Sequence, residues 1–126
     1  MKNVNAVNWF EIPVKDMSRA RKFYENLLGV EMMEMPPMGN DSEMVAFPWH
    51  QDAPFSAGAL MRSEGYEPSA TGTTVYFSCD ELEVELGRVE SNGGQVVFPK
   101  TSIGEHGFIA HIMDTEGNRV ALHSLK

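Results

Sequence analysis

Cysteine is nearly absent from this sequence. Cys79 stands alone among 126 residues, which excludes a disulfide within the chain and is compatible with a reducing compartment. Val75 and Phe77 share its face of a strand, so Cys79 reads as a small buried hydrophobe rather than a nucleophile. Basic residues are also scarce: 10 Lys and Arg stand against 18 Asp and Glu, a net charge of −8. That balance argues against a phosphate-tracking surface and a nucleic-acid partner. The acidic excess reads first as solubility, and only weakly as a field that gathers cationic ligands. No apolar run is long enough to cross a bilayer, and the N-terminus lacks the apolar stretch of a signal peptide. The expectation is a cytoplasmic protein without a membrane partner. No Gly-rich loop follows a strand and opens a helix with Lys, which removes the phosphate-loop chemistries.

What the chain does have is a repeat. Trp9-Phe10-Glu11-Ile12-Pro13-Val14 leads to Asp16, a helical stretch and Gly29; Thr74-Val75-Tyr76-Phe77-Ser78-Cys79 leads to Asp80, a helical stretch and Gly93. The interval from Asp to Gly is the same in both copies. Such a period fixes architecture before any single residue does. The length suits one domain, 1–126, built as module one over about 1–62, a Ser-, Gly- and Pro-rich hinge over 63–72, and module two over about 73–126.

Within each copy the apolar period changes from two to that of a helix. Residues 4–14 alternate as a strand, Asp16 caps a helix, and Met17, Ala20, Tyr24 and Leu27 form its apolar stripe up to Gly29. Residues 30–35 and 43–48 read as hairpin strands joined through a turn over Pro36 to Asp41, and 57–62 as a further strand. In the second copy, 73–79 is a strand. Asp80 and Glu83 then form a capping box before a helix carrying Leu82, Leu86 and Val89, which Gly87 weakens. Strands follow over about 95–98, 107–113 and 118–125, the last two joined by a tight turn over Asp114 to Asn118. The fold class is therefore α+β: two tandem βαβββ modules whose strands form a concave mixed sheet, with helices on its outer face and a ligand cleft on the bare one.

These residues resemble a known family. The run Val14-x-Asp16-Met17-x-x-Ala20-x-x-Phe23-Tyr24-x-x-Leu27-Leu28-Gly29, with the closing Asp114-x-x-Gly117-Asn118-x-Val120, is similar to the vicinal oxygen chelate superfamily of glyoxalases, bleomycin resistance proteins and extradiol dioxygenases. The resemblance implies a homodimer, and a divalent metal held by His, Glu or Gln from the first and last strands of each module. Carried over by position, those ligands fall at Trp9, Thr74, Ala121 and near Gly58 or Ala59. Trp and Ala cannot ligate a divalent ion, and a lone Thr hydroxyl is a poor ligand. The expectation is no metal and no other cofactor.

Side chains two apart on a strand face the same way, so Glu11, Tyr76 and His123 share the bare face with Trp9, Thr74 and Ala121. Glu11 reads as a general base, because an inward carboxylate costs free energy unless it is paired or used; its plainer reading is a solvated strand-end carboxylate. His123 reads equally as an acid–base group and as an exposed imidazole, and Tyr76 more as a core aromatic than as a catalytic phenol. A shifted metal site on Glu11 and His123, with His106 or His111 as third ligand, is the disfavoured alternative. Trp9, Trp49, Phe55, Tyr66 and Phe108 are candidate aromatic walls. Met32, Met33, Met35, Met38 and Met44 read as packing between modules or subunits rather than as a pocket. The functional expectation is a small-molecule binding protein that holds its ligand in the cleft against Trp9, Tyr76 and Phe108, with Glu11 and His123 as polar anchors. The alternative is a lyase or isomerase that uses Glu11 or His123 as base.

Overall fold

The computed structural model describes residues 4–36 and 41–126. Its elements run β1 (Trp9–Pro13), α1 (Met17–Leu28), β2 (Met33–Met35), β3 (Glu43–Ala46), β4 (Ala57–Arg62), β5 (Tyr76–Ser78), α2 (Leu82–Leu86), β6 (Gln95–Ser102), β7 (Phe108–Met113) and β8 (Arg119–Ser124). They make two four-stranded mixed sheets, ordered β1-β4-β3-β2 and β5-β8-β7-β6, so the βαβββ order occurs twice. Most of the turn between β2 and β3, with Met38, lies outside the described residues. Among the described residues no helix is long and apolar enough to cross a membrane.

The first module follows its sequence closely. The Asp16 side chain accepts the Arg19 amide at 3.1 Å, and Gly29 closes α1 with φ at 66°, a conformation that costs glycine nothing. Met17, Ala20, Phe23, Tyr24 and Leu27 are buried. They lie against Ile12, Val45 and Leu60, the inner face of the first sheet.

The second module departs from its sequence. Asp80 does not cap α2. The residue at the cap is Glu81, which makes no side-chain cap hydrogen bond, and the helix stops at Leu86. Gly87 takes up the chain there, a single 3-10 turn covers Glu90–Asn92, and Gly93 ends it at φ 92°. The capping box read from Asp80 and Glu83 is therefore corrected: a five-residue helix is too short to recruit it, and Leu82 and Val89 hold the segment by burial instead. Strand β6 extends beyond the interval of about 95–98 read for it, with register shifts on either side of Phe98. Pro99 lies in that stretch and lacks the N–H a regular ladder needs.

Among the contacts that join the modules, which include Arg88 on the Leu27 carbonyl and Asn26 on Asn92, two position β1 against the second sheet. Phe77 of β5 packs its ring against Phe10, Tyr24 and Phe47, with centroids 5.9, 5.7 and 5.5 Å away. Aromatic pairs at these separations add stabilisation beyond burial. The second contact is polar. The β7–β8 turn, closed by the Asp114 amide on the Asn118 carbonyl, reaches across to the start of the chain. Glu116 Oε1 accepts the Lys15 and Asp16 amides at 2.8 Å each, and its carboxylate receives two hydrogen bonds from Arg19, at 2.7 and 3.0 Å. A carboxylate from module two thus sits at the positive N-terminal end of α1 in module one. Asn118 donates to the Pro13 carbonyl at 2.8 Å and accepts the Ser69 amide at 3.0 Å. Asp114 accepts the buried Tyr24 hydroxyl at 2.6 Å; burial, with Asp114 beside it, pushes that phenol well above its ordinary range.

Burial alone would raise the Glu116 carboxyl, but Arg19, the two amides and the Thr115 hydroxyl overcome it and hold the pKa at about 2. The folded value lies below the ordinary one. The stabilisation is therefore complete above about pH 5 and is lost as pH falls towards 2. Glu116→Gln is expected to cost about 2–3 kcal/mol at pH 7 and to flatten the pH dependence of stability between pH 5 and 2. Urea denaturation across that range checks both; a variant as stable as the parent at pH 7 contradicts them.

Candidate functional site

Strands β1 and β5 are edge strands of their sheets, and the Phe77 contact and the Glu116 hub bring them together. A groove of about 1320 Å³ runs between them, lined mostly by apolar groups. Trp9, Glu11, Thr74, Tyr76 and His123 all border it, together with Arg119. Both strand faces take part, since Phe10, Ile12 and Phe77 border it as well. Phe10 and Ile12 turn into the helical core, while Trp9 packs on the opposite face against Met44, Ala46, Ala59 and Met61.

Glu11 is half-buried, and among the described residues its carboxylate accepts one long hydrogen bond, from the Trp9 indole N–H at 3.4 Å. Among the described residues no cation pairs with it; the ion pairs that do form involve other carboxylates. His123 Nε2 donates to the His106 carbonyl at 2.7 Å. A carbonyl only accepts, so Nε2 carries a proton.

The row of residues paired across β5, β8 and β7 was the least legible. Tyr76 stands opposite Ala121, and Ala121 opposite His111. Over the small alanine, the Tyr76 hydroxyl and His111 Nε2 meet at 3.0 Å with their rings edge to face. Arg119 Nε donates to His111 Nδ1 at 2.9 Å. Burial, with Arg119 beside it, pushes the His111 pKa down, so the ring is neutral at pH 7. The sequence did not reveal which way His111 points, because both faces of β7 are largely apolar. Its position opposite a strand residue as small as Ala121 was the available signal.

Three expected ligand contacts stand elsewhere. Phe108 faces the core with Ala110 and Ile112, and the Lys100 ammonium lies 4.4 Å from its ring centroid. The reading of Phe108 as a cleft wall is corrected by that alternation. Trp49 is 75% exposed and does not border the groove. Ala121 is fully buried beneath the Tyr76–His111 pair and offers no surface. Phe55, by contrast, borders the groove. Burial, followed by the Glu85 carboxylate, raises the Cys79 pKa to about 12, so Cys79 stays a thiol and is a poor nucleophile at neutral pH.

The family model for the glyoxalase/bleomycin resistance protein/dioxygenase superfamily matches residues 6–122. The chain belongs to that superfamily. It is 31% identical over 124 residues to CFP32 of Mycobacterium bovis, covering 91% of this chain but 44% of that protein. The chain thus spans less than half the length of this relative. A glyoxylase-like domain-containing protein of Didymella fabae is 30% identical over 119 residues, with 92% of this chain and 91% of that protein covered. Among solved structures, TnmS3, an antibiotic binding protein from Streptomyces sp. CB03234, superposes with a TM-score of 0.66 at 20% identity, over 98% of each chain.

For a member of this superfamily, the donor set is unusual. The positions that the resemblance assigns to a divalent metal carry Trp9, Thr74, Ala121 and, on β4, Gly58 or Ala59, with Ala57 paired to Trp9 and Ala59 to Glu11. None supplies a carboxylate or imidazole, so these side chains do not fit the metal. Among the described residues no group of three or more His, Cys, Asp and Glu side chains is placed to hold one.

Ala121 is the floor on which the Tyr76–His111 pair rests. Ala121→Leu should drive the two rings apart and destabilise the protein by about 1–3 kcal/mol. Chemical denaturation reads the loss, and the His111 ring resonances read the separation; unchanged resonances would show that the pair does not depend on Ala121.

Proposed function

We propose that this chain binds a small, largely apolar molecule in the groove between β1 and β5, without the divalent metal of its superfamily. Glu11, Tyr76 and His123 make the polar contacts, and Trp9 supplies an aromatic wall. The observation that carries this reading is the groove itself: it is large, mostly apolar and bordered by a few polar groups, the usual make-up of a ligand site. Among the described residues the Glu11 carboxylate has no cation partner, and it suits a cationic or hydroxylated edge of the ligand. That TnmS3 is named an antibiotic binding protein supports binding as a task this fold performs. The proposal includes a homodimer. Met33 and Met35 are exposed beside buried Met44 and Ala46 on the same sheet, and a second copy is a suitable cover for such a surface.

A lyase or isomerase is the second reading. It is favoured by one feature: Glu11 and His123 border the same groove, and a carboxylate or an imidazole is a suitable base. Turnover by that route titrates with the base, so a rate independent of pH would remove it.

Glu11→Gln should weaken a cationic aromatic ligand found by thermal-shift screening about five- to tenfold and leave the melting temperature of the free protein within a few degrees. Titration calorimetry reads the first and a melting curve the second. If the variant melts far below the parent, Glu11 is a structural residue and the reading of this wall is wrong.

A further inference from the structure

The hydrogen bonds around His111 fix the direction in which Tyr76 can donate. A guanidinium has no acceptor, so the 2.9 Å contact between Arg119 Nε and His111 Nδ1 requires Nδ1 to present its lone pair. The ring proton of the neutral imidazole then resides on Nε2. The 3.0 Å contact with Tyr76 is consequently a donation from His111 to the phenol oxygen. With that lone pair occupied by an incoming proton, the Tyr76 hydroxyl must direct its own proton elsewhere. Tyr76 is 49% exposed and borders the groove. The groups packed round His111 hold this direction: Arg119 on β8, Tyr76 on β5, and the ring of Phe98 on β6, edge-on at 6.0 Å. No acceptor within the protein takes the Tyr76 proton among the hydrogen bonds of the described residues.

We infer that Arg119, His111 and Tyr76 form a relay that presents the Tyr76 hydroxyl as a donor to the groove, selecting ligands with an acceptor oxygen such as an aryl ketone. The inference rests on the groove being a ligand site, as proposed above. Tyr76 touches the ligand; His111 and Arg119 are positioning residues that act through it. Donation into Tyr76 also strengthens its own O–H as a donor, because hydrogen bonds in a chain polarise one another. An ionised relay would not serve: an imidazolium would place a proton on Nδ1 and break the contact with Arg119.

Two measurements test this. The first needs no ligand: nitrogen-15 NMR of His111 is expected to show a neutral ring protonated on Nε2 at pH 7, and a mixture of tautomers in Arg119→Met. A ring protonated on Nδ1, or an imidazolium, overturns the relay. The second compares 2-acetylnaphthalene with 2-ethylnaphthalene, which differ in the carbonyl oxygen. The ketone should bind the parent protein roughly three- to tenfold more tightly, and the two should bind Tyr76→Phe equally. Equal binding to the parent overturns the assignment and leaves the groove reading standing. No binding of either probe overturns the groove reading and this assignment with it. Tyr76→Phe retains the ring and its packing. Should it fail to fold, the parent protein's preference between the two probes still decides.

Discussion

The carboxylate of Glu116 is the constraint on which the arrangement of this chain rests. It leaves the β7–β8 turn of one module and closes the N-terminal end of α1 in the other, against two amides and Arg19. Neighbouring Asp114 and Asn118 fasten the same turn to Tyr24, Pro13 and Ser69. A buried charge is costly without partners, and here every partner but Thr115 belongs to the other module or its approach. The turn therefore fixes the place of β1 relative to β8. Because β5 pairs with β8, it also fixes the distance between β1 and β5.

From that distance comes the groove. Each sheet buries one face against the helices and Phe77. Trp9 and Glu11 on one side and Tyr76 and His123 on the other border the space between the edge strands, together with Phe10, Ile12 and Phe77 of the core-facing side. The positions that the resemblance assigns to a metal carry an indole, a hydroxyl, a methyl and, on β4, Gly58 or Ala59. The methyl of Ala121 is small enough for Tyr76 and His111 to meet above it. The same small side chain thus leaves position 121 without a ligand group and gives the tyrosine–histidine pair its room.

Much of this was legible in the sequence because periodicity and chain breakers act locally. Asp16, the stripe from Met17 to Leu27, and Gly29 define α1 without help from the rest of the chain, and β4 occupies the interval 57–62 read for it. Strand parity likewise identified Trp9, Glu11, Tyr76 and His123 as companions on one face. Parity could not correct the reading of Phe108 as an aromatic wall, since on a strand with two apolar faces it cannot say which one meets the core. It was silent on His111 for the same reason. The second helix failed as a reading because Asp80 and Glu83 have the right spacing but Gly87 cuts the helix short. The hub was hidden for a different reason. Nothing near Glu116 in sequence indicates that its partners lie a hundred residues away, and the turn alone accounts for Asp114, Gly117 and Asn118.

The most direct test of a groove that works without a metal is the metal content of the protein. The measurement is elemental mass spectrometry on tag-free protein after incubation with zinc, nickel and manganese. The account predicts no stoichiometric ion, because no carboxylate or imidazole stands at the superfamily's ligand positions. About one divalent ion per chain, lost on Glu11→Ala or His123→Ala, would contradict it and place a shifted metal site at the wall of the groove.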